Sequence, residues 1–396
     1  MRGRLVTKTW GWDPALYAPP KYRRACRYEA FIPDLLAGAQ FDLSSAVAGV
    51  VADAQQSIMS LNAGARPSLA PLARLLLRTE SIASSKVEGM QVGIRQLARA
   101  ESRVETGGKA SSTVLDVLGN IDAMQLAVDE AASTGRIGVA HILDIHGKLM
   151  AHSPNAGIAG VLRAGQNWIG GNDYNPCGSD FVPPPPEQVE RLLEDLCEAI
   201  ADESPSPLVQ AAMVHAQFET IHPFDDGNGR TGRALIHVVL RRRGIATAYV
   251  PPISVVLATR RERYIRGLTE FRLGDVGLWI EQFCAAAARA AGLASGYLEA
   301  VNALIGEWRA RLGEGAAPRS DAAAWAVISV LPAHPVITAP VAAAATGRSK
   351  AAIHQAIKQL VECGVLEPLS SSNRNQSWEA VGLLDLLEGL ESGRAL

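Results

Sequence analysis

Residues 222–233, HPFDDGNGRTGR, concentrate side chains that can carry out phosphate chemistry. Histidine ordinarily titrates near neutrality, so His222 can accept a proton from an incoming hydroxyl. Asp226 would repel a bare phosphate, but it suits a divalent metal ion that bridges a carboxylate and a phosphate. Arg230 and Arg233 add two permanent cations within one turn, suited to bidentate phosphate contacts. The combination predicts a phosphoryl- or nucleotidyl-transfer site.

Three glycines of the same segment spell G-x-G-x-x-G, the fingerprint of dinucleotide-binding folds. That fold needs an apolar strand before the glycines and an acidic residue about twenty positions later. Here residues 207–221 have helical spacing and residues 244–258 contain no acid, so this interpretation fails. A P-loop is excluded because no Gly-Lys-Ser/Thr follows. At the start of a helix, the main chain of Gly227, Asn228 and Gly229 instead predicts an anion site of backbone N–H groups.

The segment is predicted to be a loop between two helices. Residues 207–221 place apolar side chains at helical spacing, and residues 231–243 end in three arginines followed by a glycine. Phe224 is expected to be a core anchor that fixes the loop, and Asp225 a solvated acid. Considered alone, His222 would be a helix C-cap, but its neighbours argue for chemistry.

Other parts of the chain must position this loop. Further helices are predicted over residues 71–88, 111–135, 138–151, 187–201 and 260–311. The first forty residues, with several prolines and tryptophans, are expected to form an irregular arm on a core. Residues 157–186 are rich in Gly, Asn and Pro and predict a β-hairpin with a polyproline-like exit.

Length and composition fit two or three folded domains. The chain has 396 residues, 48% hydrophobic and 20% charged, and its net charge of −2 gives no overall basic field to attract nucleic acid or an anionic membrane. Its five cysteines are scattered and never spaced C-x-x-C, so neither a zinc site nor a disulfide framework is expected. A reducing, cytoplasmic location fits best. Neither a signal peptide nor a membrane span is expected.

The segment resembles the Fic family motif HPFx(D/E)GNGRxxR at every specified position. The resemblance extends to AQFETIHPF before the loop, to GQNWIGG…FVPPPP, which resembles the family's flap, and to LLLRTESIASSKVEGM, which resembles the segment with its inhibitory helix. It covers roughly residues 70–250. The fold that it implies is an all-α, Fic-type helical core with a β-hairpin flap over about residues 160–186.

The resemblance implies transfer of AMP from ATP to a hydroxyl side chain of a protein, with release of pyrophosphate. His222 would be the general base on the target's Ser, Thr or Tyr hydroxyl, and Asp226 would hold Mg²⁺ against the phosphates. Flap residues would align the target's backbone by strand-type pairing; they are Trp168, Ile169 and Gly170. Phosphate binding is implied for Gly227, Asn228, Gly229, Arg230 and Arg233, the last at the γ-phosphate.

An acidic residue upstream is a candidate inhibitor. Ser84 and Glu88 are four residues apart and would share one helix face. From the residues alone this is an ordinary solvated pair, and Glu88 sits unfavourably against the helix dipole. The segment matches the family's inhibitory motif (S/T)xxxE(G/N), which implies that Glu88 pairs with Arg233 and occupies the space of the γ-phosphate.

The C-terminal residues are similar to a winged helix-turn-helix. A short helix at about 340–345, a second helix capped by Ser349, and a wing hairpin around 370–376 are predicted. DNA binding would use Lys350, Lys358 and Arg374. Residues 319–380 contain five basic and four acidic residues, so their charge is nearly balanced. An interaction or dimerisation module is therefore favoured over DNA binding.

The domain organisation follows from these segments. We expect an N-terminal arm and helical segment at 1–105 with the inhibitory helix at about 71–89, a catalytic core at 106–311, and the winged helix-turn-helix at 319–396. The protein is expected to be a protein adenylyltransferase that modifies a target protein and itself. Its transfer activity is expected to be kept low by Glu88. Two alternatives stay open: removal of AMP by the same site, and a DNA-binding regulator whose core senses nucleotide. A homodimer is also left open.

Overall fold

The computed structural model describes residues 3–12, 17–64, 70–105, 109–314, 318–369 and 376–394. The chain divides into two compact units. Unit 1 comprises Met1–Gln55, Asp122–Ile245 and Arg261–Ala285, and unit 2 comprises Gln56–Ile121, Ala246–Arg260 and Ala286–Leu396. The fold is mostly helical with small antiparallel sheets, in agreement with the expected class. The domain boundaries expected near residues 105 and 311 stay predictions.

Short strands lie near both ends of the chain, and helices occupy most of the rest. The strands are β1 Gly3–Trp10, β2 Cys26–Pro33, β3 Val336–Thr338, β4 Leu366–Pro368 and β5 Ser377–Ala380. The first eight helices are α1 Ser45–Ala63, α2 Ala70–Val87, α3 Ile94–Glu105, α4 Ser112–Ser133, α5 Val139–Met150, α6 Pro186–Ala201, α7 Pro207–Ile221 and α8 Asn228–Arg242. The others are α9 Ile253–Thr259, α10 Arg261–Leu273, α11 Val276–Gly313, α12 Ala323–Val330, α13 Ala339–Thr346, α14 Lys350–Glu362 and α15 Leu383–Glu391. Within the described residues, no helix combines the length and apolar character needed to cross a bilayer.

The expected irregular N-terminal arm is wrong, because β1 and β2 form a regular antiparallel hairpin. Their register runs from Gly3 opposite Pro33 to Trp10 opposite Cys26. The prolines that suggested irregular structure lie outside the paired segments, except Pro33 at the very end of β2, where a missing N–H is tolerated. The helical stretch expected over residues 260–311 consists of α10 and α11.

Helices α7 and α8 form the core of unit 1. Every residue of α7 from Leu208 to Ile221 is buried, so the helix has no solvent face. The two helices approach closely at Gly232, where an added Cβ would lie 2.6 Å from Glu219 Oε1 and 2.9 Å from Phe218 Cδ1. The last glycine of the G-x-G-x-x-G pattern therefore serves helix packing, not phosphate binding.

We expect Gly232→Ala to destabilise the protein by about 1–3 kcal/mol, because the added methyl overpacks a rigid contact. Gly292→Ala is the matched control, since a Cβ added at this helical glycine would meet nothing within 4 Å. There alanine should add roughly 0.5–1 kcal/mol through its better helix propensity. Urea unfolding of the two variants would measure the difference, and equal changes would contradict the packing role.

In unit 2, helices α2 and α3 pack against the C-terminal elements. Lys86, near the end of α2, pairs with Glu391 of α15 at 2.9 Å. Arg95 of α3 contacts three acids: Glu388 at 2.9 Å, Asp385 at 2.6 Å, and Glu379. These partners are far apart in sequence, so the ends of α2 and α3 depend on the C-terminal segment for part of their surroundings.

The C-terminal module contains α12 to α15 and a sheet of order β3-β5-β4. Helix α14 begins as predicted, with the Ser349 hydroxyl accepting from the N–H of Ala352. Lys350 and Lys358 are exposed, but Lys358 lies 3.9 Å from Glu362, which offsets its charge. The predicted wing, with Arg374, falls mainly on residues 370–375, outside the described residues. The winged helix therefore stays a prediction.

Candidate functional site

His222 ends α7 in a left-handed conformation, with φ 50° and ψ 60°. Its N–H donates to Phe218 O at 2.9 Å, so it is the helix C-cap expected from its position alone. Among the described residues other than glycine, only Tyr17 shares a positive φ. Such backbone strain is kept where the surroundings enforce it, and it is frequent at functional sites. The capping role and a chemical role are therefore compatible.

The loop after His222 is closed by reciprocal hydrogen bonds. Asn228 Oδ1 accepts from the N–H of Phe224 at 2.9 Å, and Asn228 Nδ2 donates to Phe224 O at 2.8 Å. The Phe224 ring is fully buried, as predicted for a core anchor. Because the Asn228 amide is used to shape the loop, its contribution to an anion site would come from its backbone N–H.

His146 of α5 packs against the same loop. Its ring stacks on Phe224 with centroids 3.6 Å apart and planes 5° from parallel. The N–H of Gly160 donates to Nδ1 at 3.0 Å, so Nε2 must carry the proton and donate to Asp226 O, also at 3.0 Å. Burial lowers the pKa of His146 to about 4, which keeps this neutral tautomer at physiological pH. His146 therefore fixes the main chain beside Asp226.

Asp226 and Gly227 form the turn into α8. The Asp226 carboxylate accepts from the N–H of Gly227 at 2.6 Å and lies 3.7 Å from Arg230 Nη2. Gly227 has φ 78°, and an added Cβ would lie 3.1 Å from Leu149 and 3.2 Å from His146 Nε2. Both the backbone angle and the space favour glycine here. Because the Gly227 N–H is engaged by Asp226, the N–H groups that could bind an anion start at the next residue.

Helix α8 begins three residues earlier than predicted, at Asn228. The first intrahelical bond is donated by the N–H of Thr231 to Gly227 O at 3.0 Å. The N–H groups of residues 228–230 therefore point out of the helix N-terminus, where the dipole favours an anion. Arg230 and Arg233 are buried at 3% and 0% exposure on the first turns of α8. The loop and both cations thus meet at one end of one helix.

A magnesium ion fits this donor set only together with a substrate. Within the part of the chain that the structure describes, no group of three His, Cys, Asp or Glu side chains could hold a metal. Asp226 is a single carboxylate whose side chain is 55% exposed. Mg²⁺ is commonly bound by one or two carboxylates together with substrate phosphates and water. Asp226 therefore suits an ion that arrives with a nucleotide.

The predicted β-hairpin flap is reduced to one antiparallel bridge, so the hairpin prediction is wrong in its regularity. Ile169 donates to and accepts from Phe181, at 2.8 and 3.2 Å. The Trp168 indole N–H donates to Asn172 O at 2.6 Å inside the same segment. The main chain of Ile169 is thus already paired, and Gly170 leaves the extended conformation, with φ 74°. The glycines, asparagines and prolines of the segment disfavour a longer ladder of β-sheet hydrogen bonds.

The hairpin β1–β2 packs against the flap. Phe31 N donates to Val182 O at 2.9 Å, and the Trp10 and Trp168 rings meet edge to face at 5.5 Å. Cys26 of β2 and Cys177 of the flap form a disulfide. The expectation that the cysteines form no disulfide is therefore wrong for this pair. The pair are 151 residues apart, so their spacing could not reveal a contact that depends on the hairpin.

The candidate inhibitory residues lie at the end of α2 in unit 2. Ser84 is fully buried, whereas Glu88 is exposed and follows the last residue of the helix. The N–H of Glu88 donates to Ser85 O at 3.2 Å, so the chain turns there. Ser84 and Glu88 therefore do not share the environment expected for one helix face. The pairing of Glu88 with Arg233 of unit 1 stays a prediction.

Sequence reasoning missed three residues that support His222 and its loop. His146 contacts Asp226 and Phe224, and the side chains of Arg163 and Asn167 both donate to His222 O, at 2.9 and 3.2 Å. Arg163 lies within the flap resemblance, but its type alone did not distinguish it from a surface arginine. His146 lies on a predicted helix, and its type there gave no stronger sign of a functional role than that of Arg163.

His215, about two turns before His222 on α7, makes stability depend on pH. Its ring is fully buried, and Nε2 lies 2.8 Å from the Tyr264 hydroxyl. Burial, followed by the charge of Arg233, lowers the pKa of His215 to about 3. Folding therefore favours the neutral ring, and its contribution is complete above the ordinary pKa of 6.5. It is lost as the pH falls from there towards 3.

We expect the free energy of unfolding to fall by up to about 1.4 kcal/mol per pH unit from this residue between pH 6.5 and 5. His215→Gln keeps a hydrogen-bonding partner for Tyr264 but does not titrate. Urea unfolding at pH 7 and pH 5 would compare the two proteins. The same loss of stability in both would contradict the assignment to His215.

Two family models match the chain. Residues 136–240, which contain α5 to α7, the flap and α8 as far as Leu240, match the Fic/DOC family. Residues 49–129 match the Fic/DOC family N-terminal model.

Among curated proteins, the chain is similar to protein adenylyltransferase fic-1 of Caenorhabditis elegans, with 30% identity over 196 residues. It is also similar to protein adenylyltransferase Fic of Nematostella vectensis, with 28% identity over 198 residues. These matches cover 48% and 49% of this chain but only 35% and 43% of the two relatives.

Solved structures share the fold. A Fic family protein from Desulfovibrio desulfuricans G20 has a TM-score of 0.52 and 21% identity, and the match covers 86% of this chain and 98% of that one. Fic-1 from C. elegans has a TM-score of 0.54 and 21% identity, covering 65% of this chain and 74% of that one. With the loop motif intact at residues 222–233 and both family models matched, residues 49–129 and 136–240 of the chain belong to the Fic/DOC family.

Proposed function

We propose that the protein is an adenylyltransferase that transfers AMP from ATP to a hydroxyl side chain of a target protein and of itself. The observation that carries this proposal is the strained His222, which lies one short loop before a helix N-terminus with two buried arginines. A base, an anion cradle and two cations within twelve residues suit nucleotidyl transfer. The similarity to protein adenylyltransferases of C. elegans and N. vectensis adds support.

The chemistry assigns one role to each group. The target hydroxyl oxygen attacks the α-phosphorus, its proton passes to His222, and the bond from that phosphorus to the bridging oxygen breaks, so that pyrophosphate leaves. Backbone N–H groups of residues 228–230 would hold phosphate oxygens, with the Arg230 and Arg233 guanidinium groups beside them. Because the Gly227 N–H donates to Asp226, its contribution is the tight turn.

Asp226 would hold Mg²⁺ together with the phosphates. The ion would offset phosphate charge and favour departure of pyrophosphate. His146 fixes the Asp226 carbonyl, and the contact from Asp226 Oδ1 to Arg230 limits the carboxylate's movement. The residues present therefore suit a metal-nucleotide complex.

We infer that the flap guides the target. An extended target segment would pair with the main chain of Trp168 beside the internal bridge, because Ile169 is already paired and Gly170, with φ 74°, is not extended. The hairpin β1–β2, joined to the flap by the Cys26–Cys177 disulfide, would keep that edge in place. A cytoplasmic location stays a prediction, and the disulfide is the feature that argues against it.

Glu88 is proposed to keep the activity low. Its carboxylate would pair with Arg233 and exclude the γ-phosphate by charge repulsion. The reverse reaction, in which the same site removes AMP from a modified protein, is an alternative that uses the same residues. The C-terminal module is proposed to serve interaction or dimerisation, since five basic and four acidic residues nearly balance between residues 319 and 380 and Lys358 of α14 lies 3.9 Å from Glu362.

Intact-protein mass spectrometry tests the proposal. Wild type and Glu88→Gly are incubated with ATP and Mg²⁺, and an added AMP is mapped to its side chain. Addition of AMP in Glu88→Gly, weak or absent in wild type, is expected. If neither protein acquires AMP on itself or on proteins of a cell extract, the transferase proposal fails. Loss of AMP from the modified variant upon addition of wild type would favour the reverse reaction.

A further inference from the structure

Arg163 is a buried cation whose side-chain hydrogen bonds go to main-chain carbonyls. It is 3% exposed. Its Nε donates to His222 O at 2.9 Å, and Nη2 also lies 3.4 Å from Ile221 O. On the other side, Nη1 donates to Gly165 O at 2.9 Å and Nη2 to Pro184 O at 2.5 Å. One guanidinium thus joins the end of α7 to both ends of the flap.

The main chain of Arg163 adds a fifth link, because its N–H donates to Pro223 O at 3.0 Å. The positive charge also lies at the C-terminus of α7, where the helix dipole favours a cation. A planar guanidinium holds its donors in a rigid fork, so the two sets of carbonyls are kept at a fixed separation.

Asn167 also links the flap to the residues that follow α7. Its Nδ2 donates to His222 O at 3.2 Å and to Phe224 O at 3.0 Å. His222 O therefore accepts from two flap side chains at once. The direction of this carbonyl fixes ψ of His222, and together with the left-handed φ it fixes where the imidazole leaves the backbone.

We propose that Arg163, assisted by Asn167, is a positioning residue that couples the flap to the general base. The proposal rests on the proposed AMP transfer for its kinetic consequence. Arg163 holds His222 in its strained conformation and at the same time holds the flap that would present the target hydroxyl. Arg163, with Asn167, thereby sets the distance between the base and the hydroxyl.

Arg163→Lys tests this coupling. Lysine keeps the positive charge, but its single ammonium cannot reach carbonyls on both sides of the original fork. In a Glu88→Gly background we expect kcat to fall by about 10- to 100-fold, as for a displaced reacting group. The KM for ATP should stay within about twofold, because Arg163 contacts none of the groups proposed to bind phosphate.

Arg243→Lys is the matched control. Arg243 also donates to main-chain carbonyls, Pro205 O at 3.0 Å and Glu203 O at 2.9 Å, but just beyond the opposite end of α8. Its substitution should leave kcat unchanged within about twofold even if it lowers the melting temperature. Asn167→Ala is a milder variant, expected to lower kcat by about three- to tenfold, and it keeps the test decisive if Arg163→Lys does not fold.

Hydrogen exchange supplies a readout that needs no activity. In Arg163→Lys or Asn167→Ala, exchange should rise together in the flap, residues 165–184, and at the N–H groups of His222 and Phe224. Faster exchange in the flap alone, or a raised KM with unchanged kcat, would overturn the proposal. If neither wild type nor Glu88→Gly transfers AMP, the proposed function fails. A joint or a separate rise of exchange in the two segments still decides whether Arg163 couples them.

Discussion

Glu88→Gly should raise the initial rate of AMP transfer by about 10- to 100-fold at ATP concentrations below saturation. A hydrogen bond between charged groups contributes about 1.5–3 kcal/mol. Each 1.4 kcal/mol corresponds to about a factor of ten. If Glu88 occupies Arg233 in the resting protein, ATP must displace that interaction before its γ-phosphate can bind. Removal of the carboxylate removes both this competition and the repulsion of the phosphate.

Two companion variants separate charge from backbone flexibility. Glu88→Gln keeps the size but removes the charge, so it should activate nearly as well as glycine. Glu88→Asp keeps the charge on a shorter side chain and should activate less. Rates are measured as incorporation of labelled AMP with Mg²⁺ present. If glutamine leaves the protein as inactive as wild type, electrostatic exclusion is wrong and the activation by glycine reflects changes in the turn after α2.

His222→Ala in the Glu88→Gly background should lower kcat by about 10²- to 10⁴-fold, the range expected when a general base is removed. Binding of ATP should change little, because His222 is not among the groups proposed to hold phosphates. Transfer kinetics and nucleotide titration of the same preparation would measure both quantities. A residual rate near that of the parent would show that the target hydroxyl loses its proton elsewhere.

The backbone conformation of His222 calls for a second variant. Alanine tolerates the left-handed region poorly, so a loss of activity in His222→Ala could arise from movement of the loop. Asparagine visits this region more readily and supplies no base of comparable strength. His222→Asn should therefore preserve the loop and still lose activity. The exposed His152, replaced by alanine, is the control for a histidine outside this loop.

Much of the site could be predicted from the sequence because its candidate groups are local. His222, Asp226, Arg230 and Arg233 lie within twelve residues, and the flanking helical patterns placed them around one loop. The limits of α2, α7 and α14 also followed from capping residues, prolines and glycines that act within a few residues of themselves. Local periodicity and motif spacing were sufficient for these features.

Contacts between distant residues could not be predicted in this way. Arg163 reaches His222 across 59 positions, His146 reaches Asp226 across 80, and Cys26 meets Cys177 across 151. Each contact depends on how elements pack, and the side chains concerned look ordinary in their own segments. The sequence by itself determined which groups are candidates for the chemistry, because that information lies in neighbouring residues. Only the tertiary structure decided what holds His222 in its strained conformation and what supports the flap, because those forces act between segments that the chain brings together by folding.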